Sequence, residues 1–462
     1  MMRAMRAIAR LILVVMGLAV VGAVGAWFWA GRAEGPSVTI RSPGAVIGQA
    51  GMLDMLVETP DGALSRLEVT LEQSGRRFAV FSQDGAPPPS GSGEAANRLF
   101  VMRPLGRRAI PELASGKARL EIHAARPVLF GLRQADTTVT RDLTVRLEPP
   151  RVDVLSTFHF INHGGSEFVV YRAVPEDVES GVRVGDKEYR GFPASGIGIK
   201  ADSSTRVAFF ALLFEQPLDS TITVFARDAA GNQASAPLDS RVFPKPYGSS
   251  RIQIDDRFLN QVVPAIAAAT PEEQISTDDL VKGFLYINGE LRRKNNQYLR
   301  DLAGKTQPRA SFTEAFQQLG NSQVEAKFAD TRTYVHDGKD IDKQVHLGFD
   351  LAVTARVPVL ASQRGVVVHA AYLGIYGNCV VVDHGLGVQS LYAHMSSFDV
   401  KVGDMVAKGQ PLGRSGMTGL AGGDHVHFTM LVGGEQVTPV DWWSAQWMQD
   451  RVRRKIAAAG GL

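Results

Sequence analysis

Five residues in the last third of the chain have the side-chain types and the order of a zinc hydrolase site: His346, Asp350, His394, His425 and His427. Seven of the ten histidines of the chain lie at or after His336. Imidazole and carboxylate groups are ligands that Zn²⁺ prefers. A zinc ion held by such groups activates water for hydrolysis. The cluster therefore predicts a metal-dependent hydrolase.

The spacing of these residues indicates the scaffold that holds them. His425 and His427 are two positions apart, which places both side chains on one face of a β-strand. His346 and Asp350 are four positions apart, which suits one face of either a strand or a helix, and the glycine and apolar residues around them favour a strand. We therefore expect a β-rich catalytic domain.

The length and composition of the chain limit the class of protein to which it can belong. The 462 residues allow two to four domains, and 45% hydrophobic with 21% charged residues is ordinary for a globular protein. The net charge of +3 is small, and no basic stripe alternates with aromatic residues, so we expect no nucleic-acid partner. The single cysteine, Cys379, stands in an apolar run, which predicts a buried hydrophobic residue without an internal disulfide.

The N-terminus predicts the compartment. Residues 11–30 form an uncharged, mostly apolar stretch that is long enough, as a helix, to span a bilayer core of about 30 Å. Three arginines precede this stretch, and Trp27 and Trp29 stand where an aromatic belt would lie. We expect residues 1–36 to be a cytoplasmic tail and transmembrane anchor in the inner membrane, with the catalytic part in the periplasm. The alternative is a cleaved signal peptide, for which Ala23–Gly25 is a weak cleavage site.

Two β regions are expected next. Apolar residues alternate with polar ones at Leu67, Val69 and Leu71, which predicts a β-sandwich over residues 37–149, with a long surface loop from Asp84 to Asn97. Pro149-Pro150 indicates a boundary, and a second sandwich is expected over residues 150–246. The strand and Asp-x-x-Gly-Asn turn that end at Asn232 resemble the final hairpin of bacterial immunoglobulin-like domains.

A helical connector is predicted over residues 247–323. An apolar stripe from Phe258 to Ile266 has helical spacing, and Pro264 should kink or end that helix. Two capping boxes, Thr270–Glu273 and Ser311–Glu314, predict further helix starts. The connector could dock on a neighbouring domain or cover the active site.

Strand patterns return over residues 324–442, and the basic tail 443–462 is expected to be a solvated helix end, with contact to an anionic wall or membrane as the alternative. The fold class expected for the whole chain is therefore mainly β. Two β-sandwiches, a helical connector and an antiparallel catalytic domain follow one N-terminal transmembrane helix.

Several motifs of this last region occur in a fixed order: His346-x-x-x-Asp350, Tyr376-Gly-Asn-Cys-Val-Val-Val-Asp-His384-Gly, Leu391-Tyr-Ala-His394, Gly409-x-x-x-Gly413-x-Ser-Gly416-x-Thr-Gly419 and His425-Val-His427-Phe428. In these motifs the segment resembles the catalytic domain of lysostaphin-type (LytM-domain) zinc metalloendopeptidases, which cut peptide cross-links in bacterial peptidoglycan. The resemblance covers roughly 100 residues and leaves the front two-thirds of the chain undescribed. Asp424 departs from the family, in which proline often stands just before the His-x-His pair.

The resemblance implies that His346, Asp350 and His427 bind one zinc ion per catalytic domain. It also implies two catalytic histidines, His394 and His425. One would take a proton from water, and the other would stabilise the oxyanion and the leaving amine. Which histidine does which stays open.

The function expected is a membrane-anchored zinc endopeptidase acting on peptidoglycan, with the D-Ala–diaminopimelate cross-link as the bond. A second hypothesis is a non-catalytic activator or scaffold for other wall hydrolases, because some LytM-domain proteins have lost their zinc ligands. A third is an exported protein as substrate. The β-sandwich domains could bind the wall or a cell-envelope protein partner.

Overall fold

The computed structural model describes residues 2–60, 64–84, 97–352 and 354–460. The chain is mainly β and divides into two compact units, residues 1–149 with 228–232, and residues 150–227 with 233–462. The division after Pro149 falls at the boundary expected from Pro149-Pro150. The finer domain limits stay predictions. Most of the loop expected from Asp84 to Asn97, namely residues 85–96, lies outside the described residues.

The first unit consists of one long helix and two sheets. Its elements are α1 (Met2–Ala30), β1 (Ser37–Ser42), β2 (Val46–Ile47), β3 (Met52–Glu58), β4 (Arg66–Gln73), β5 (Arg76–Asp84), β6 (Arg98–Pro104), β7 (Gly116–Val128) and β8 (Arg133–Val145). The sheet orders are β1-β3-β6 and β2-β8-β7-β4-β5. The alternation predicted in β4 is confirmed, because Leu67, Val69 and Leu71 are all buried in the core of this unit.

The second unit begins with a pair of four-stranded sheets. Its first strands are β9 (Arg151–Val154), β10 (His159–Asn162), β11 (Ser166–Val174), β12 (Glu179–Val184), β13 (Lys187–Arg190), β14 (Phe192–Pro193), β15 (Thr205–Ala211), β16 (Ile222–Arg227), β17 (Gln233–Pro237) and β18 (Ser240–Phe243). The sheet orders are β14-β15-β11-β9 and β13-β12-β16-β17, and β10 pairs with β18. Strands β16 and β17 form the expected hairpin, in whose turn Asp228 Oδ1 accepts hydrogen bonds from the backbone N–H groups of Ala230 and Asn232.

The connector is less helical than its sequence predicts. It contains β19 (Ser249–Gln253), α2 (Asp256–Ala269), α3 (Leu280–Tyr286) and α4 (Arg292–Ala303), with a π-helical turn at Ile287–Leu291 between the last two. Pro264 lies inside α2, which continues to Ala269, so this proline does not end the helix.

Both predicted capping boxes are also wrong. Thr270 ends α2, because its hydroxyl donates to Ile266 O at 2.6 Å, and no helix begins there. The Ser311 hydroxyl donates to Arg364 O at 2.6 Å, and residues 311–320 contain no helix. Each hydroxyl thus donates to a backbone carbonyl and caps no following helix.

The remaining strands form the catalytic region. They are β20 (Gln323–Ala326), β21 (Asp330–His336), β22 (Lys339–His346), β23 (Phe349–Ala352), β24 (Pro358–Leu360), β25 (Gly365–Tyr372), β26 (Asn378–Gly385), β27 (Val388–Met395), β28 (Ser397–Phe398), β29 (Met405–Val406), β30 (Pro411–Arg414), β31 (His425–Val432) and β32 (Glu435–Val437). The main sheet has the order β20-β23-β31-β27-β26-β25-β29, with β32 beside β31. Smaller sheets have the orders β19-β21-β22 and β24-β30-β28. Cys379 in β26 is buried, as expected.

The C-terminal segment of the second unit packs against β11. It contains α5 (Pro439–Trp443), α6 (Ala445–Trp447) and α7 (Arg454–Ala458), with a π-helical turn at Met448–Arg453. Val452 and Ile456 are buried, and the Lys455 ammonium donates to Glu167 Oε1 at 2.9 Å and to Phe168 O at 2.7 Å. The expectation of a solvated helix end is therefore wrong for this face, because Lys455 has a buried partner on β11.

Candidate metal centre

Three predicted ligands meet on neighbouring strands. Asp350 on β23 is directly opposite His427 on β31, and His346 is the last residue of β22. His346 Nε2 lies 2.9 Å from Asp350 Oδ1 and 3.0 Å from His427 Nδ1, and His427 Nδ1 lies 3.0 Å from Asp350 Oδ1. His346 and Asp350 do not share one strand face, because the chain leaves one sheet at Leu347-Gly348 and enters the next.

The hydrogen bonds of the two imidazoles fit a cation between them. His346 Nδ1 donates to Lys327 O at 3.0 Å, so its Nε2 presents a lone pair to the cluster. His427 Nε2 has no hydrogen-bond partner among the described residues, which lets this nitrogen carry the proton while Nδ1 presents a lone pair. Two neutral imidazoles and one carboxylate then converge, which is the protein donor set of a catalytic zinc site. The residues present therefore fit a zinc ion.

Gly348 makes room for this arrangement. A Cβ atom at residue 348 would lie 2.5 Å from both Cε1 and Nε2 of His427. The ring of His427 can therefore reach the cluster only beside a glycine.

Both carboxylate oxygens of Asp350 have partners. Its outer oxygen, Oδ2, accepts a hydrogen bond of 2.8 Å from Arg332 Nη2 on β21. Burial alone would raise the pKa of Asp350, but attraction to His346 and the hydrogen bonds that the neighbouring histidines donate when no metal ion takes their place keep that pKa well below its usual range. The carboxylate is thus ionised and fixed in orientation.

The two remaining histidines lie beside the cluster. His394 on β27 donates from Nδ1 to Thr418 O at 2.8 Å, and His425 donates from Nδ1 to Gly423 O at 2.9 Å. Their ring centroids are 4.8 Å apart, and His425 Nε2 lies 3.6 Å from Asp350 Oδ1. In each ring Nδ1 is thus occupied by a backbone carbonyl, which leaves Nε2 to exchange protons beside the three predicted ligands.

The surroundings of these two histidines differ. Burial holds the pKa of His394 well below its ordinary value. Burial also lowers the pKa of His425, but its interactions with Asp350 outweigh that effect and leave the pKa raised. His394 also has φ near 61°, a left-handed conformation that is uncommon for a residue other than glycine. Strained backbone of this kind is found preferentially at functional sites.

The cluster lies in a cleft of about 770 Å³. One wall is formed by residues 420–422, within the glycine-rich stretch that follows β30. Another wall includes Ile252, Asp255 and Phe258 from β19 and the start of α2. The connector therefore contributes one wall of the cleft.

Two groups that hold the predicted ligands could not be found from the local sequence. Arg332 and the carbonyl of Lys327 precede the motifs and reach the ligands only through the pairing of β21 with β22. Asp424 accepts from the backbone N–H of Arg356 at 3.1 Å and does not hold His425. His336, His369 and His384 have partners elsewhere and lie outside the cluster.

A His–Asp–His cluster beside two further histidines in one cleft is typical of a metallohydrolase site. Residues 344–439 match the family model described as Peptidase family M23. The chain contains an M23 peptidase domain of the LytM type. The ligand and catalytic roles of the five residues stay predictions.

Similar proteins share this domain. The chain is 39% identical over 97 residues to the "DD-carboxypeptidase/endopeptidase Mpg" of Neisseria meningitidis. This alignment covers 21% of this chain and 22% of that protein. It is also 40% identical over 92 residues to the "Peptidoglycan DD-endopeptidase ShyA" of Vibrio cholerae. That alignment covers 20% of this chain and 21% of the Vibrio protein. The alignments thus span about a fifth of these relatives.

Among solved structures, the catalytic domain of lysostaphin from Staphylococcus simulans is 25% identical to this chain. That match covers 32% of this chain and 96% of the lysostaphin domain, with a TM-score of 0.21. This score is well below the level that would establish a shared overall fold.

Proposed function

We propose that this protein is a zinc-dependent endopeptidase that hydrolyses peptide cross-links of peptidoglycan, with the D-Ala–diaminopimelate bond as its target. The observation that carries the proposal is the convergence of His346 Nε2, His427 Nδ1 and Asp350 Oδ1 within 3.0 Å of one another, in a cleft that also contains His394 and His425. The names of the similar proteins, which include DD-endopeptidase, support the substrate and the type of bond.

The residues of the chain would divide the work as follows. His346, Asp350 and His427 would hold the zinc ion, which when bound lowers the pKa of a water toward about 7 and polarises a carbonyl. His394 and His425 keep Nε2 on the cleft side, because each Nδ1 is fixed on a backbone carbonyl. One of these nitrogens would take the proton of the attacking water, and the other would stabilise the oxyanion and the leaving amine.

We also propose that the protein is anchored in the inner membrane with its catalytic part in the periplasm. Residues Ile8–Ala30 lie in a helix that is long and apolar enough to cross a membrane. Arginines precede it in the sequence, which by the positive-inside rule supports a cytoplasmic N-terminus. This arrangement would place the cleft where peptidoglycan is found.

The test is digestion of purified cross-linked peptidoglycan by the full chain in detergent, with products identified by mass spectrometry and bound zinc measured on the same sample. We expect dimeric muropeptides to disappear and the new termini to identify the bond. His427→Ala and chelation should abolish both zinc binding and cleavage, whereas His336→Ala, a histidine outside the cluster, should retain both.

Stoichiometric zinc without cleavage of peptidoglycan would overturn the proposed activity and favour either the activator or a different peptide substrate. Cleavage that persists in His427→Ala would overturn the assignment of the site.

A further inference from the structure

An unusual turn joins β7 and β8 in the first unit. The loop Leu129–Leu132 presents Phe130 with an exposed fraction of 103% and Leu132 with 72%. Leu129 and Phe130 have φ angles of 53° and 54°, in the left-handed region. Tight hairpin turns favour glycine, asparagine and aspartate there, because a bulky side chain is strained. Turn formation therefore does not explain these apolar side chains.

The tip of this hairpin lies beside the last turn of α1. Arg133 Nη1 donates to Trp27 O at 2.8 Å, and the guanidinium lies 5.2 Å from the centre of the Trp27 ring. Ala30 is only 2% exposed, and Trp29 and Phe130 line the same surface depression. The apolar tip is therefore level with the aromatic end of the helix.

The chain between helix and sheet is also packed. Only residues 31–36 separate Ala30 from β1, and Arg126 Nε donates to Glu34 O at 2.6 Å. A Cβ atom at Gly35 would lie 2.7 Å from Asp136 O on β8. The hairpin is thus held against the end of the helix by several short contacts.

We propose that the β7–β8 tip inserts Phe130 and Leu132 into the outer interface of the membrane that α1 spans, as a second attachment point of the first unit. Tryptophan residues at a helix end mark the headgroup level, and arginines there extend their charged groups toward the lipid headgroups. Trp27 and Trp29 lie at the level of the tip, and Arg133, whose guanidinium contacts Trp27, is a basic residue at the same level. The inference rests on the proposed membrane anchor and is independent of the proposed hydrolysis.

The experiment uses the full chain reconstituted in phosphatidylcholine–phosphatidylglycerol vesicles. Because Cys379 is the single cysteine, a Cys379→Ala background allows one new thiol to be labelled with an environment-sensitive fluorophore. The label is placed at the tip by Leu132→Cys. The control is Ser74→Cys, in the turn after β4. The end of β4 near the tip is Arg66, which pairs with Ala125. Arg66 and Ser74 are eight residues apart, so at about 3.4 Å per residue Ser74 is roughly 27 Å from that end.

We expect the tip label to show a blue-shifted emission and quenching by lipids that carry a quencher in the upper acyl chain. The Ser74 label should show neither effect. Adding Phe130→Asp to the labelled Leu132→Cys chain should reduce the quenching, and because Phe130 is fully exposed this change leaves the core intact.

Carbonate extraction shows which chains are anchored in the vesicles. If the tip label of anchored chains stays in water, as the Ser74 label should, the proposed insertion is overturned. Chains that wash off the vesicles would overturn the anchor and the insertion with it, and would leave the peptidase site untouched.

Discussion

Arg332 is expected to tighten the metal centre although it is not a ligand. Its Nη2 lies 2.8 Å from Asp350 Oδ2, and only 20% of the Arg332 side chain and 12% of the Asp350 side chain are exposed. Arg332→Ala would remove a charge-assisted hydrogen bond, which is worth about 1.5–3 kcal/mol. Because Asp350 would no longer be held in its ligand orientation, zinc should bind about 10- to 100-fold more weakly. Loss of partners that orient metal ligands typically costs about this factor.

The assay is titration of the metal-free full chain with zinc in competition with a chromogenic chelator. Arg332→Lys keeps the charge but loses the planar fork, so its affinity should fall between those of the wild type and Arg332→Ala. The matched control is Arg251→Ala, which breaks another arginine–aspartate pair in the same sheet, with Asp340. That pair is more than half exposed, and its loss should leave the zinc affinity unchanged.

Thermal unfolding of the metal-free variants separates a local effect from a loss of folding. An Arg332→Ala chain that binds zinc as tightly as the wild type would refute the reasoning. So would an equal loss of affinity in Arg251→Ala.

Three further outcomes follow from buried groups. Gly348→Ala should weaken zinc binding in the same titration with little change in thermal unfolding, because the new Cβ would lie 2.5 Å from the His427 ring; unchanged affinity would show that the ring can move. Lys455→Met should lower the free energy of unfolding in urea by about 3–5 kcal/mol, because Glu167 would be left charged and buried, and Lys455→Met with Glu167→Gln should recover part of it. Burial lowers the pKa of His384 to about 4 from 6.5, so the unfolded state takes up the proton first as pH falls. Stability present above pH 6.5 should be lost toward pH 4, by about 3 kcal/mol, and urea unfolding of His384→Gln should show a shallower pH slope than wild type.

Local sequence was sufficient where one strand decides the geometry. The two-residue spacing of His425 and His427 predicted a strand with both rings on one face, and β31 begins at His425. The alternating apolar residues of β4 also predicted a strand correctly, because burial of one side of a sheet requires a period of two residues.

Local sequence failed where another group competes for the same atoms. Thr270 and Ser311 both begin sequences typical of helix caps, yet their hydroxyls donate to Ile266 O and Arg364 O. Lys455 stands in a basic run that predicts solvent, but its partner Glu167 is 288 residues away in sequence. No window of neighbouring residues contains that information.

The same distinction applies inside the metal centre. All five predicted residues lie within the segment 344–439 that matches the M23 family, whereas Arg332 and Lys327 lie before it. These two residues orient Asp350 and His346, and β21, which bears Arg332, pairs with β19 of the connector. A fragment cut at the start of the family match would keep every predicted ligand and lose both groups that fix the orientation of His346 and Asp350. A fragment from Val324 would regain them but leave β21 without its pairing to β19. We therefore expect an intact site only in chains that begin no later than Ser249, the first residue of β19, well before the first predicted ligand.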